Sequence, residues 1–313
     1  FYRSPLGRGL WRGTNEPTLF DYPANLRPGN PLRGESWLAG DYSLPGGVLR
    51  GLGHSPFDMA PPSPTWRDSL HDFNWLPDVL AVAGGGGHKA VREAILHWAI
   101  GPYLYQRAPM RPALVGRRLM RWAQALSQVK SGFDGQALAS IHTSFSAQTR
   151  WLEKLAGQGD DGIGRLQCAL GLALAACALP QQGQILRRAI DLLGREMRRQ
   201  ILPDGGHASR NPALLADLLA DLLALEGVLQ ARQVALPAAI ISARQNMQTL
   251  LAMLRHKDGR LGVFHGGLES DAAALDAVID DAAKPISFAQ KSGYQRLDAG
   301  DSCMLVDVGD APR

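Results

Sequence analysis

The residues best suited to chemistry fall in one turn, Ile201-Leu-Pro-Asp-Gly-Gly-His-Ala-Ser-Arg-Asn-Pro212, between two long apolar-periodic segments. His207 is of the type that gives or takes a proton near neutral pH. Arg210 carries a planar fork of donors that matches carboxylates and sulfates. Ser209 and Asn211 add a hydroxyl and an amide, which can hold hydroxyl or acidic groups. Such a set suits proton transfer beside an acidic group, with His207 as the catalytic candidate and Ser209, Arg210 and Asn211 as substrate-binding candidates. The plainer alternative is that Arg210 and Asn211 close the turn and His207 is a solvated loop histidine.

A second polar cluster, His71-Asp-Phe-Asn-Trp75, combines aromatic and amide groups suited to stacking on a sugar and hydrogen bonding to it. His71 and Trp75 therefore join the substrate-binding candidates, against the alternative that Trp75 packs in a core. Other clusters carry less. Gly84-Gly-Gly-Gly-His88 precedes a helix but lacks the Lys-Ser/Thr of a phosphate loop. His88 and His97 lie nine apart, off a shared helix face, and Cys168, Cys177 and Cys303 show no C-x-x-C spacing. No metal or other cofactor is expected.

The elements that must position these residues are helical. The Asp204-Gly-Gly206 run needs backbone conformations that glycine tolerates, and Asn211-Pro212 reads as an N-cap followed by proline at the first helical position. Apolar periodicity predicts helices over 66–83, 89–100, 112–129, 135–155, 165–179, 184–201, 212–230 and 237–256, with no strand between them. The 165–179 segment is apolar almost all round and reads as buried on nearly every side. Residues 1–64, rich in Gly, Pro and Arg and containing Trp11 and Trp37, read as a loop-dominated arm without a core of its own. After His256 come turn signals around Leu261-Gly-Val-Phe264, and strands are expected over 294–297 and 303–308. A single hairpin is not stable alone, so the chain is expected to stop inside a β-domain.

Composition narrows the partners. The 313 residues carry a formal charge of +4, too modest to argue for nucleic acid, with arginine prominent among the cations. No run reaches the roughly 20 apolar residues of a membrane span, and no signal peptide is visible from Phe1 onward. An acidic polymer is a natural partner for arginine-rich surfaces, although biased composition explains the arginines equally simply.

The order Leu70-His-Asp-Phe-Asn-Trp-Leu76, the buried helix from Arg165, Leu202-Pro-Asp-Gly-Gly-His-Ala-Ser-Arg-Asn-Pro212, Asp258-Gly-Arg-Leu-Gly-Val-Phe-His-Gly-Gly267 and Ser292-Gly-Tyr-Gln-Arg-Leu297 resembles the heparinase II/III-like family. The likeness is greatest to a bacterial branch with a D-G-G-H-x-S-R-N-P motif and runs from about residue 25 to the end. It implies a mainly α fold, an incomplete (α/α) toroid of helical hairpins followed by the start of a β-sandwich. The division expected is an N-terminal arm over 1–64 packed on the toroid, the toroid over 65–284 and the first sandwich strands over 285–313. It also implies polysaccharide-lyase chemistry, β-elimination on a uronic-acid polymer, and a periplasmic or cell-envelope location. That reaction removes a weakly acidic proton beside a carboxylate, so the carboxylate must be neutralised, a base supplied and the leaving oxygen stabilised. Leu214-Leu215 stand where lyases of the family carry Tyr-His, and Gly162-Ile-Gly-Arg-Leu166 where they carry an Asn-His pair. Two readings follow, a lyase centred on His207 and a non-cleaving binder of an anionic glycan or envelope polymer on the same scaffold; a helical-repeat interaction protein is a third.

Overall fold

Helix starts in this chain are written in caps and prolines. Asn30, Ser63 and Asn211 each accept backbone N–H bonds from the first turn of a helix that opens on proline, namely α1 (Pro31–Leu38), α2 (Pro64–Asp72) and α9 (Pro212–Ala231). The computed structural model describes residues 25–157, 162–267, 269, 272–280 and 283–310. The part of the arm before residue 25, including Trp11, lies outside the described residues. The chain divides into two units, one ending at Ile190 and the other beginning at Asp191, a boundary that falls inside helix α8 (Gly183–Gln200).

In the first unit, α1 is followed by an antiparallel hairpin of β1 (Asp41–Leu44) and β2 (Gly47–Arg50), in register Asp41 to Arg50. The stretch expected to be loop-dominated is thus a helix and a hairpin from Pro31 to Arg50. Trp37 and Tyr42 are buried, and the Trp66 indole donates to the Tyr42 carbonyl at 3.0 Å, so the hairpin belongs to the core. The expected helix over 66–83 is two helices, α2 and α3 (Leu76–Leu80), because Phe73 adopts a left-handed backbone with φ of 61° and ends α2. Then come α4 (Gly86–Ile100), α5 (Pro112–Val129), α6 (Gly135–Leu155) and α7 (Ile163–Ala178), close to the expected spans. Helix α7 is buried along nearly its whole length from Leu166 to Ala178, as its composition implied.

Helices α5 and α7 pack most intimately at two glycines. A Cβ on Gly171 would lie 2.4 Å from the Gly116 Cα, so the backbones touch where side chains would hold them apart. Glycine is less favourable than alanine inside a helix by about 0.5–1 kcal/mol, and here the close approach is what it permits.

The second unit begins with the end of α8 and continues through α9, α10 (Ala238–Met253) and the short α11 (Ala272–Asp276). It closes with an antiparallel sheet of β3 (Phe288–Ala289), β4 (Tyr294–Ala299) and β5 (Ser302–Asp307) in that order. The pairing runs from Tyr294 with Asp307 to Ala299 with Ser302, and β3 adds a short third strand that periodicity did not mark.

The Gly116–Gly171 contact predicts opposite outcomes for one kind of substitution. Gly171→Ala should lower the unfolding free energy by about 1–3 kcal/mol through overpacking. Gly227→Ala, in α9 where an added Cβ meets nothing within 4 Å, should raise it by about 0.5–1 kcal/mol. Denaturant unfolding of the two variants checks both signs.

Candidate functional site

The Asp204–Asn211 turn lies in the second unit and is clamped by its neighbours. Asp204 Oδ2 accepts the backbone N–H groups of Lys291 and Ser292, each at 2.7 Å, and Oδ1 accepts the Ser292 hydroxyl at 2.6 Å. Gly205 has φ of 91°, and a Cβ there would sit 2.1 Å from the Asn246 carbonyl oxygen on α10, so this position needs glycine for both conformation and space. Asn246 in turn donates to the Pro203 carbonyl at 3.0 Å. The turn therefore bridges α10 and the residues that lead into β4.

His207 is held inward. It is 5% exposed, and its Nδ1 lies 2.8 Å from the Ser209 hydroxyl and accepts the Ser209 backbone N–H at 3.0 Å. A backbone N–H can only donate, so Nδ1 is the acceptor and Nε2 carries the proton, which it donates to Gln200 Oε1 at 3.2 Å. Gln200 Nε2 in turn donates a hydrogen bond to Glu196 Oε2 at 2.9 Å. Both ring nitrogens are occupied, and burial lowers the imidazole pKa from 6.5 to about 4. His207 is a neutral, internally bonded histidine.

Arg210 is the hub of the unit. It is 7% exposed, with a left-handed backbone at φ 53°. Its guanidinium pairs with Asp307, donates to the Ser292 carbonyl at 2.8 Å and to the Asp310 carbonyl, and lies 5.2 Å over the Tyr294 ring. The Tyr294 hydroxyl returns a bond to the Arg210 carbonyl. Burial drives the Tyr294 pKa upward, and the Asp307 charge adds to this against Arg210, so the phenol stays protonated. Asn211 caps α9 by accepting the Leu214 N–H at 3.0 Å and donates to the His265 carbonyl at 3.3 Å. Four candidates from the sequence, His207, Ser209, Arg210 and Asn211, are brought together, but with their polar groups turned to protein partners.

One member of this cluster escaped the sequence reading. His265 adopts φ of 47° and places Nε2 2.6 Å from Asp307 Oδ2, with both side chains between one-fifth and one-quarter exposed. Burial opposes the Asp307 charge, but the Gly309 N–H, Arg210 and His265 together hold its carboxyl below the usual range. An accessible imidazole oriented by a carboxylate is a form of acid–base pair. The sequence signal was the Phe264-His-Gly-Gly267 turn, which read as a turn because the pairing with Asp307 spans 42 residues.

His71 and Trp75 lie in the other unit, and the expectation that they meet a sugar is corrected. Trp75 is 4% exposed, stacks on Trp37 at 3.8 Å and donates to the Leu70 carbonyl at 3.1 Å. Phe73 stacks beside it at 5.4 Å. His71 is 5% exposed and accepts the Trp98 indole N–H at 3.1 Å; burial, then Arg118 and Arg67, lower its pKa to about 3. Both are core residues of an aromatic cluster. Among the described residues no group of three or more His, Cys, Asp or Glu is arranged to hold a metal, and no helix is long and apolar enough to cross a membrane.

Comparison with known proteins defines the class of fold first. The heparan sulfate lyase HepC from Pedobacter heparinus aligns with a TM-score of 0.61 at 16% identity, over 97% of this chain and 54% of its own. Heparinase III aligns at 0.62 with 16% identity, over 86% of this chain and 48% of its own. The chain has a mainly α, heparinase II/III-like fold. In sequence it is 31% identical, over 93% of its length, to FtsZ-localized protein C of Caulobacter vibrioides (strain NA1000 / CB15N). The chain spans about half the length of that relative, 51%. No family model matches it.

The geometry makes two predictions. Arg210→Ala leaves Asp307 without its cation and removes the bond to the Ser292 carbonyl, so the second unit should lose about 3–5 kcal/mol of stability, read by denaturant unfolding. For His207, the folded pKa lies below the ordinary 6.5, so between about pH 6.5 and 4 the unfolded chain binds a proton the folded chain refuses. Stability should fall as pH drops through that window and be unaffected by this group above it. The slope there should flatten in His207→Gln.

Proposed function

We propose that this protein uses the heparinase fold for recognition, binding an acidic glycan without cleaving it, and that it does so in company with FtsZ. The observation that carries the non-cleaving reading is His207. A histidine acting as the base for β-elimination must present an open nitrogen to a substrate proton, whereas His207 is 5% exposed with both nitrogens bonded inside the protein. Arg210, the natural neutraliser of a uronate carboxylate, is paired with Asp307. Leu214 and Leu215 supply no phenol or imidazole where lyases resembling this chain carry Tyr-His. The association with FtsZ rests on the relative at 31% identity, whose name states that it is FtsZ-localized.

A second reading, lyase action on a uronic-acid polysaccharide, is favoured by the partly exposed His265–Asp307 pair. Incubation with heparan sulfate and other uronate polymers, followed by near-ultraviolet absorbance of unsaturated products, separates the two. Binding without product is expected. Product that is lost in His265→Ala would install the lyase reading in its place. For the location, a fluorescent fusion should follow FtsZ through the cell cycle, and an even distribution independent of FtsZ would refute it.

A further inference from the structure

Helix α8 divides sharply into two faces. Ile185, Ala189, Leu193 and Met197, at spacings of four residues, are buried. From Arg187 onward every exposed position is an arginine, Arg187, Arg188, Arg195, Arg198 and Arg199, with the single exception of Asp191. At 3.6 residues per turn these side chains leave the helix within roughly a third of its circumference, and at 1.5 Å per residue they run over roughly 18 Å. All of them lie on one unbroken helix, so helical geometry alone sets the spacing of the stripe.

Helix stability does not account for this stripe. Arg198 and Arg199 stand in the last turn and complement the helix dipole, but Arg187, Arg188 and Arg195 lie outside that turn and gain nothing from it. Arg195 has Arg198 and Arg199 as like-charged neighbours three and four residues on, and such pairs repel. Arg188 is paired with Glu153 of α6 at 2.7 Å and Arg199 with Glu196 at 3.4 Å. Among the described residues, the guanidinium groups of Arg187, Arg195 and Arg198 have no ion pair, and Asp191, four residues from both Arg187 and Arg195, pairs with neither. Three forks of donors are thus left to solvent along one line.

We propose that this stripe is the docking surface for the acidic glycan, a linear polysaccharide whose carboxylates or sulfates pair with Arg187, Arg195 and Arg198. The stripe gives a surface to the glycan reading above, on which its role rests. Guanidinium groups match such acids bidentately. Asp191 can only accept hydrogen bonds, which suits a chain that carries hydroxyl donors between its acids. A bilayer is a poorer fit, because an interfacial helix lays its apolar face into the membrane and that face of α8 is buried in the protein. Single-stranded nucleic acid is a poorer fit too, because α8 carries no aromatic side chain on which a base could stack.

Heparan sulfate and polygalacturonate are the probes, titrated into the whole chain by calorimetry beside dextran, duplex DNA and phosphatidylglycerol vesicles. At least one acidic polysaccharide should bind more tightly than the other three. Arg187→Ala, Arg195→Ala and Arg198→Ala combined should weaken that binding about tenfold or more and flatten its dependence on salt. Alanine at Arg33, Arg50 and Arg107, exposed elsewhere, removes the same charge and should change the affinity less than about twofold. Lysine at the three stripe positions keeps the charge without the fork, so it should recover part of the affinity. Equal binding by the parent and the alanine variant of the stripe would overturn the assignment of this surface and leave the glycan reading standing. Neither polysaccharide bound by the parent would overturn both. Tighter binding of DNA or of vesicles through the same arginines would give the surface to that partner instead and overturn the proposal.

Discussion

A guanidinium buried to 7% exposure must find partners within the protein or destabilise the fold that encloses it. The second unit is organised around that demand at Arg210. Its planar fork spreads donors over Asp307, the Ser292 carbonyl and the Asp310 carbonyl, while the Tyr294 ring lies over it. These acceptors come from the entry to β4 and the exit from β5, at the open end of the hairpin, so the hairpin cannot leave the turn without exposing an unpaired charge. Asp204 makes the same link from the other side by accepting two backbone N–H groups at the entry to β4. The left-handed backbone of Arg210 is sustained by this surrounding set of bonds.

This constraint also decides what the polar turn can do. Residue types that suit β-elimination are present, but their reactive groups have been spent on joining the helices to the hairpin. The guanidinium is neutralised before any substrate arrives, and the imidazole is neutral and enclosed. A fold shared with heparan sulfate lyases does not by itself specify their chemistry, because a site depends on which way its groups face. His265 is the exception within the cluster. It keeps an exposed edge because it bonds to the outer oxygen of the carboxylate whose other oxygen holds Arg210.

Local signals in the sequence marked the helices beyond residue 64 well, since the Asn211 cap acts over three residues and the apolar periods over a turn or two, whereas the short helix that Asn30 caps was read as part of the arm. The break at Phe73 was not legible, because a phenylalanine in the left-handed region is held by packing with Phe57 and Trp75 and not by its own preference. Trp37 and Tyr42 looked like parts of an arm for a similar reason: a hairpin of four-residue strands offers little period to read. In the candidate site, the motif Asp204–Pro212 and the motif Ser292–Leu297 were each visible as unusual strings. That one binds the other, Asp204 to Ser292 and Arg210 to Tyr294, is a relation across more than 80 residues that no local pattern encodes.

The two units treat buried arginine in contrasting ways. Arg210 meets a carboxylate of its own. Arg118, fully buried in the other unit, is served by neutral acceptors, the His71 and Pro109 carbonyls and Gln148, and by the face of Trp98 at 4.0 Å; burial lowers its pKa to about 9. Neutral acceptors satisfy geometry without cancelling charge. Asp72, buried in the same unit, feels the charges of Arg117, Arg121 and Arg118 together. Arg210 is thus neutralised by direct contact with Asp307, whereas Arg118 is held mainly by uncharged oxygens and burial presses against its charge.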